Sequence, residues 1–185
     1  MHETTAELAA LQQLIDSSFA VAGSHTTSII TAERRLSADE AVAYLQGVNH
    51  LALATVTSSG QPRVGPVDGL FLHGSFWFST SADAWRIKHL AARPAVSATH
   101  FVGDDIAITV HGAAHIVAGA TPEADALRPY WEAVYDGGSP EQWVPEPSMA
   151  RYVRIDAARM LTYCFDRTKL PALLGTLSQP PVVGD

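Results

Sequence analysis

His50-Leu-Ala-Leu-Ala-Thr-Val-Thr57, then Ser58-Ser-Gly-Gln61, then Pro62-Arg-Val-Gly-Pro-Val-Asp-Gly-Leu-Phe-Leu72 reads as strand, turn, strand. Apolar and small residues alternate in the two runs, and a Ser-Gly turn separates them. Gly65, Pro66 and Gly69 predict bends or a bulge in the second strand. His73-Gly74 is the next turn, and Ser75-Phe-Trp-Phe-Ser-Thr80 is a short aromatic third strand. Asp83 to Arg93 has helical spacing in Trp85, Ile87 and Leu90, until Pro94 forces an extended exit. Ala95 to Val102 and Asp105 to Ala118 are the fourth and fifth strands, the latter with Gly112 where a bulge or barrel corner is expected.

Helices flank this block. Leu8, Leu11, Leu14, Ile15 and Phe19 mark an amphipathic helix from about Thr5 to Ala22, and Ser24 to Arg35 reads as a connecting segment. Ser37-Ala-Asp-Glu40 has the form of a capping box opening a short helix that ends at Gly47. Thr121-Pro-Glu opens another, running to about Tyr135. A Gly- and Pro-rich loop from Asp136 to Pro147 carries Trp143, a candidate cover for a substrate site. Arg151 to Ile155 and Met160 to Asp166 complete the strands, and the tail from 176 to 185 reads as flexible. The predicted organisation is an N-terminal helical extension over 1–35 and one mainly β (α+β) domain over 36–175, an antiparallel closed or split barrel with flanking helices.

Composition narrows the function. The chain has 185 residues, 47% hydrophobic and 17% charged, as in a globular protein. The low charge fraction also fits a surface covered in part by a partner subunit. Twelve Lys and Arg against 19 Asp and Glu give a net charge of −7, which argues against a nucleic-acid partner. The basic residues are uneven: Arg63, Arg86, Lys88 and Arg93 are grouped, and none occurs from Pro94 to Leu127. An acidic chain with a local basic cluster fits a small anionic ligand. Cys164 is the single cysteine, in an apolar run, so a buried thiol and a reducing, cytoplasmic compartment are expected. Residues 1–8 lack the basic and apolar regions of a secretory signal, and no apolar run is long enough to span a membrane.

The candidate site follows from the central block. Ser79 and Thr80 end a strand just before a helix, whose amides and positive dipole end attract anions. Arg63, Arg86 and Lys88 are the cations placed to hold a phosphate, with Arg86 able to grip its oxygens bidentately. Equally, Ser79, Thr80 and Asp83 could simply cap the helix and leave Arg86 solvated. Trp77 is expected in the core; Trp85, on the phosphate-side helix, is expected there too, with an approach to the bound ligand as the alternative. Asp68, in an apolar strand, fits a turn role or catalysis. In strand phase His111 and His115 share a face, where they could line a pocket or subunit groove, but no third ligand accompanies them and no metal site is expected.

Leu51-Ala-Leu-Ala-Thr-Val-Thr-Ser-Ser-Gly-Gln-Pro-Arg-Val-Gly-Pro-Val67 resembles the opening hairpin of the pyridoxamine 5'-phosphate oxidase-like, FMN-binding split-barrel superfamily. Phe78-Ser-Thr80, Arg86, His89-Leu90 and Arg93-Pro-Ala-Val-Ser97 resemble its phosphate-binding segment, and Val110-His-Gly-Ala-Ala114 its following strand. The resemblance spans about Leu36 to Ala118, and more loosely Arg151 to Phe165. It implies a split-barrel homodimer holding a flavin at the subunit interface and acting as an oxidoreductase on a small molecule. It implies that Arg63 sits beside the flavin phosphate or ring, that Ser79 and Thr80 bind phosphate, and that Val64 and Pro66 offer backbone groups to the ring edge. Arg86 stands where many relatives have Lys, and His89 where many have Asn. The implied cofactor is FMN, with coenzyme F-420 as the alternative, to whose acidic tail Lys88 and Arg93 would contribute. A non-enzymatic flavin-, haem- or tetrapyrrole-binding role, using His111 and His115, is the remaining alternative.

Overall fold

A computed structural model describes residues 2–135, 138–144 and 146–176. Among these residues six antiparallel strands close into a barrel in the order β1-β2-β3-β6-β5-β4. They are β1 (Asn49–Val56), β2 (Pro62–Leu72), β3 (Ser75–Ser81), β4 (Ala95–Val102), β5 (Ile106–Ala118) and β6 (Ala150–Cys164). Among the described residues six helices flank them: α1 (Thr5–Ala20), α2 (Ser24–Ile29), α3 (Ala38–Tyr44), α4 (Trp85–Ala92), α5 (Pro122–Val134) and α6 (Leu170–Thr176). The mainly β barrel with added helices is therefore as the sequence predicts. His73 and Gly74 both take positive φ, 52° and 76°, the backbone that a tight two-residue hairpin turn requires.

Three details differ from the sequence reading. First, β2 has no bulge against β1: pairing runs one to one from Asn49↔Gly69 to Val56↔Pro62. Pro66 is tolerated because β3 pairs only with Gly69 to Leu72, so the Pro66 edge needs no amide donor. Gly69 answers a space constraint, since a Cβ there would lie 2.6 Å from Leu51 Cδ1. The bulge falls instead at Gly112, as expected: the β5–β6 register shifts between His111 and Gly112, and a Cβ at Gly112 would lie 2.1 Å from the Asp156 carbonyl oxygen. Second, the two expected C-terminal strands are one continuous strand, β6. Its polar middle, Asp156 to Arg159, stays paired with β5 by taking up this bulge. Third, the expected connection from Ser24 to Arg35 contains α2 and a 3-10 turn at Ala32–Arg34. The tail read as flexible lies, beyond Thr176, outside the described residues.

Two apolar clusters organise the packing. The barrel interior holds Leu51, Leu53, Phe71, Phe76, Phe78, Ile106, Ile108 and Ile155. Leu11, Ile15 and Phe19 of α1 and Val42 and Leu45 of α3 join this cluster. Both helices open on capping boxes, Thr4 with Glu7 and Ser37 with Glu40. Ser18 ties α1 to the barrel, its Oγ accepting from the Met160 amide at 2.9 Å. The second cluster lies outside the wall, where Leu127 and Trp131 of α5 cover Leu70, Leu72, Trp77, Val117 and Tyr152. β3 is consequently buried on both faces, Phe76 and Phe78 inward and Trp77 beneath α5. Cys164 is buried, and burial pushes its thiol above its ordinary value.

Candidate functional site

The β1–β2 hairpin and α4 enclose a cavity of about 650 Å³. From β1 and its turn come Leu53, Thr55, Thr57 and Ser58; from β2 come Arg63, Val64 and Gly65; from α4 and its end come Trp85, Arg86, Lys88, His89 and Arg93. Strand register explains the hairpin's share, since Arg63 pairs with Thr55 and Gly65 with Leu53, on the same face.

Helix spacing explains the rest. Arg86, His89 and Arg93 stand at i, i+3 and i+7 and so form one stripe along α4. Each reaches the hairpin. Arg86 Nη1 donates to the Pro66 carbonyl at 3.3 Å, His89 Nδ1 lies 3.0 Å from Thr55 Oγ1, and Arg93 Nε donates to the Val56 carbonyl at 3.1 Å. Thr55 is buried, so the imidazole is held in one orientation with Nε2 left for other partners. Arg63 Nη2 donates to Gln61 Oε1 at 3.1 Å, and Lys88 Nζ sits 4.7 Å from the Trp85 ring centroid. Burial pushes Arg86 below its ordinary pKa. The cavity wall thus carries four cations and no carboxylate. α4 itself starts at an Ala84 cap that offers no side-chain acceptor, which leaves its first amides uncapped. The chemistry available here is anion binding by guanidinium, ammonium and imidazole groups.

The structure thus brings Arg63, Val64, Arg86, Lys88 and His89 together at one cavity. Pro66 stands just outside the lining, its carbonyl holding Arg86. Ser79 and Thr80 lie in β3, paired with Tyr152 and Arg151 of β6, outside the lining of this cavity. They do not cap α4 either, because Ala84 occupies that position. Trp85, expected in the core, is 73% exposed at the cavity. The buried positions of α4 are Ile87 and Leu90, and Trp85 stands two residues before Ile87, about 200° around the helix. Arg93 belongs to the lining although the resemblance assigned it only a secondary part; its signal is the 86-89-93 spacing.

The other singled-out residues sit elsewhere. Asp68 has partners on the barrel exterior, His50 Nδ1 at 2.9 Å and the Tyr135 hydroxyl at 3.4 Å. Burial, and then the Asp68 charge, push Tyr135 up to about 12. His111 Nδ1 lies 2.7 Å from Ser97 Oγ, and His115 Nε2 lies 3.5 Å from Glu123. Among the described residues no three His, Cys, Asp or Glu side chains gather as a metal site. Trp143 packs edge-on to Tyr135, ring centroids 4.7 Å apart, and does not line the cavity. No helix is long and apolar enough to cross a membrane, among the described residues.

Residues 37–164 match the family model described as pyridoxamine 5'-phosphate oxidase. No curated protein matches the chain in sequence. Solved structures of similar fold include a conserved hypothetical protein from Mycobacterium tuberculosis, 24% identical over 72% of this chain and 88% of that one, with a TM-score of 0.59. A FAD-binding protein from Mesorhizobium loti is 20% identical over 70% and 95%, with a TM-score of 0.55. An F-420 reductase is 19% identical over 64% and 93%, with a TM-score of 0.50.

Proposed function

The chain belongs to the pyridoxamine 5'-phosphate oxidase-like family of flavin-binding split barrels, and on that premise we propose that it is a flavin-dependent oxidoreductase holding FMN in the cavity between the β1–β2 hairpin and α4. The observation that carries this reading is the carboxylate-free lining, with Arg63, Arg86, Lys88 and Arg93 around one cavity of a net-acidic chain. These groups fit a phosphorylated cofactor: the guanidiniums of Arg63 and Arg86 bind phosphate oxygens, and His89 adds a directional hydrogen bond from Nε2. When bound, a flavin ring supplies two-electron chemistry, passing hydride to or from a small organic molecule.

The chain's own task is to bind and orient. Pro62 to Asp68 of β2 pair only with β1, so alternate peptide groups there face away from the ladder and are free for the ring edge. Val64 and Trp85, 70% and 73% exposed beside the cavity, supply apolar surface against which a ring and a second copy of the chain can pack. We assign the active form as a homodimer with the cofactor between the copies. Titration of the cofactor-free protein with FMN and with F-420, followed by fluorescence, tests the reading. Submicromolar FMN binding that collapses in Arg63→Ala and Arg86→Ala supports it. F-420 binding without FMN binding moves the protein to deazaflavin chemistry. Binding of neither removes the cofactor assignment.

A further inference from the structure

The seams of the barrel are unequal. β1 and β4 pair only from Ala52↔Thr99 to Ala54↔Ser97, the shortest of the ladders among the described residues. Alternate residues of an antiparallel strand turn their backbone groups to the same neighbour, so the His50 and Val56 carbonyls face the β4 side beyond both ends of this ladder. Side chains hold both. Arg93 Nε donates to the Val56 carbonyl at 3.1 Å, and His100 Nδ1 donates to the His50 carbonyl at 3.0 Å. The first clasp is a guanidinium, charged at any pH the fold meets; the second is an imidazole. Because Nδ1 carries the hydrogen given to His50, a neutral ring keeps Nε2 as its acceptor, and the Tyr44 hydroxyl of α3 stands 3.4 Å from it. His100 is 7% exposed and Tyr44 2%, and no carboxylate pairs with His100 among the described residues. Of the titratable groups around them, His50 of β1 acts on the ring, while Cys164 of β6 and Asp105 of the β4–β5 turn act on Tyr44. A second proton, at Nε2, would therefore place an unpaired charge in the core.

We propose that His100 is a proton-operated clasp on the β1–β4 seam: proton uptake at Nε2 frees β1 at His50 and loosens the strand that walls one side of the cavity. β1 carries Leu53 and Thr55 into the lining, and Thr55 holds His89. Burial pushes the His100 ring below its ordinary 6.5; the bond to the His50 carbonyl offsets part of this, and the His50 charge adds to it. A ring depressed in this way contributes its full stability above 6.5 and loses it as pH falls below 6.5 toward the folded value. Opening at the seam where pairing is shortest exposes the ring while β5 and β6 stay paired.

The test is amide hydrogen exchange of the full chain without added ligand, at about pH 7.5 and about pH 5.5, each rate divided by the intrinsic exchange rate at that pH. Amides of β5 and β6 serve as the internal reference. Protection of the Ala52 and Ala54 amides is expected to fall roughly three- to tenfold relative to that reference at the lower pH, the span that linkage allows for an ordinary imidazole in the opened seam. His100→Asn keeps a donor for the His50 carbonyl and has nothing to titrate, so its ratio should stay constant. An unchanged ratio in the native chain, or the same fall in His100→Asn, overturns the clasp. Should that variant fail to fold, the native chain decides alone, through the ring proton resonance of His100. Protection must begin to fall near pH 6.5 while that resonance keeps its neutral position. A ring that takes its proton at or above 6.5 overturns the clasp.

Discussion

Two helices lie against the same barrel and treat their side chains in opposite ways. α5 buries Trp131 completely, stacks it on Tyr135 and gives Arg128 two carboxylate neighbours, Asp125 and Glu141. α4 leaves Trp85 in solvent and its three basic side chains, with Arg93 at its end, without a carboxylate. On the α5 side aromatic area is removed from water and Arg128 is matched by carboxylates, while the buried Trp131 Nε1 and Glu141 Oε2 are the polar atoms left without a hydrogen-bond partner among the described residues. On the α4 side apolar surface and charge stay exposed around the cavity. If the proposed function holds, stability and binding occupy different helices, and substitutions should separate them.

The largest expected effect is on the sealed side. Trp131→Ala should cost about 3–5 kcal/mol of stability by opening a cavity in the outer cluster, measured by denaturant unfolding. If its cofactor affinity, measured where it remains folded, falls as far as its stability, the two sides are coupled and the contrast fails. Next, Arg86→Ala should leave the unfolding midpoint nearly unchanged yet weaken FMN binding roughly thirty- to a hundredfold, the scale of a charge-assisted hydrogen-bond pair. Third, Tyr152→Phe should cost about 1–2 kcal/mol, because the Tyr152 hydroxyl donates at 2.5 Å to the buried Glu141 carboxylate. Burial pushes the Glu141 carboxyl up, but the Tyr152 hydroxyl, backbone and Ser139 hydrogen bonds and the Arg128 charge outweigh it and hold the carboxyl below its ordinary 4.5. A depressed carboxyl contributes stability above that ordinary value and loses it as pH falls through the lower folded value. Acid titration of stability below about pH 4.5 should therefore be shallower in Tyr152→Phe than in the native chain. The smallest effect is Trp85→Ala, within about 0.5 kcal/mol of native stability, since its ring is mostly exposed. A larger loss there would mean that α4 contributes packing that its exposure does not show.

Much of this was legible in the residues. The strands of the central block are punctuated by His73-Gly74, Ser58-Ser-Gly and Gly103, turn residues whose backbone preferences act locally, so their positions survive folding. Ser37 and Glu40 announced α3 for the same reason. α2 escaped because Ser24-His-Thr-Thr-Ser-Ile29 has low intrinsic helix propensity; none of its residues is buried, and its turns are closed by local bonds such as that from the Thr27 amide to the Gly23 carbonyl. β6 was read as two strands because Asp156 and Arg159 interrupt its apolar pattern, and only a partner strand with a bulge at Gly112 reveals that the pairing continues. At the site, Arg63, Arg86, Lys88 and His89 were legible as a cluster, and the structure brings them to one cavity; the Trp85 error came from reading an aromatic as core without phasing it against Ile87 and Leu90. The cavity side of Arg93 required the helix stripe to be laid on the hairpin, which is a tertiary fact.

β6 joins β3 through Ala150 to Arg154 and runs the length of β5. Among the described residues it is the last strand made and the closing stave of the barrel. During synthesis the edges of β3 and β5 stay open until residue 164 has left the ribosome, and α1, which binds β6 through Ser18, lacks that partner for the same interval. A nascent chain from which Ala118 but not yet Ala150 has emerged would thus present five strands with two bare edges.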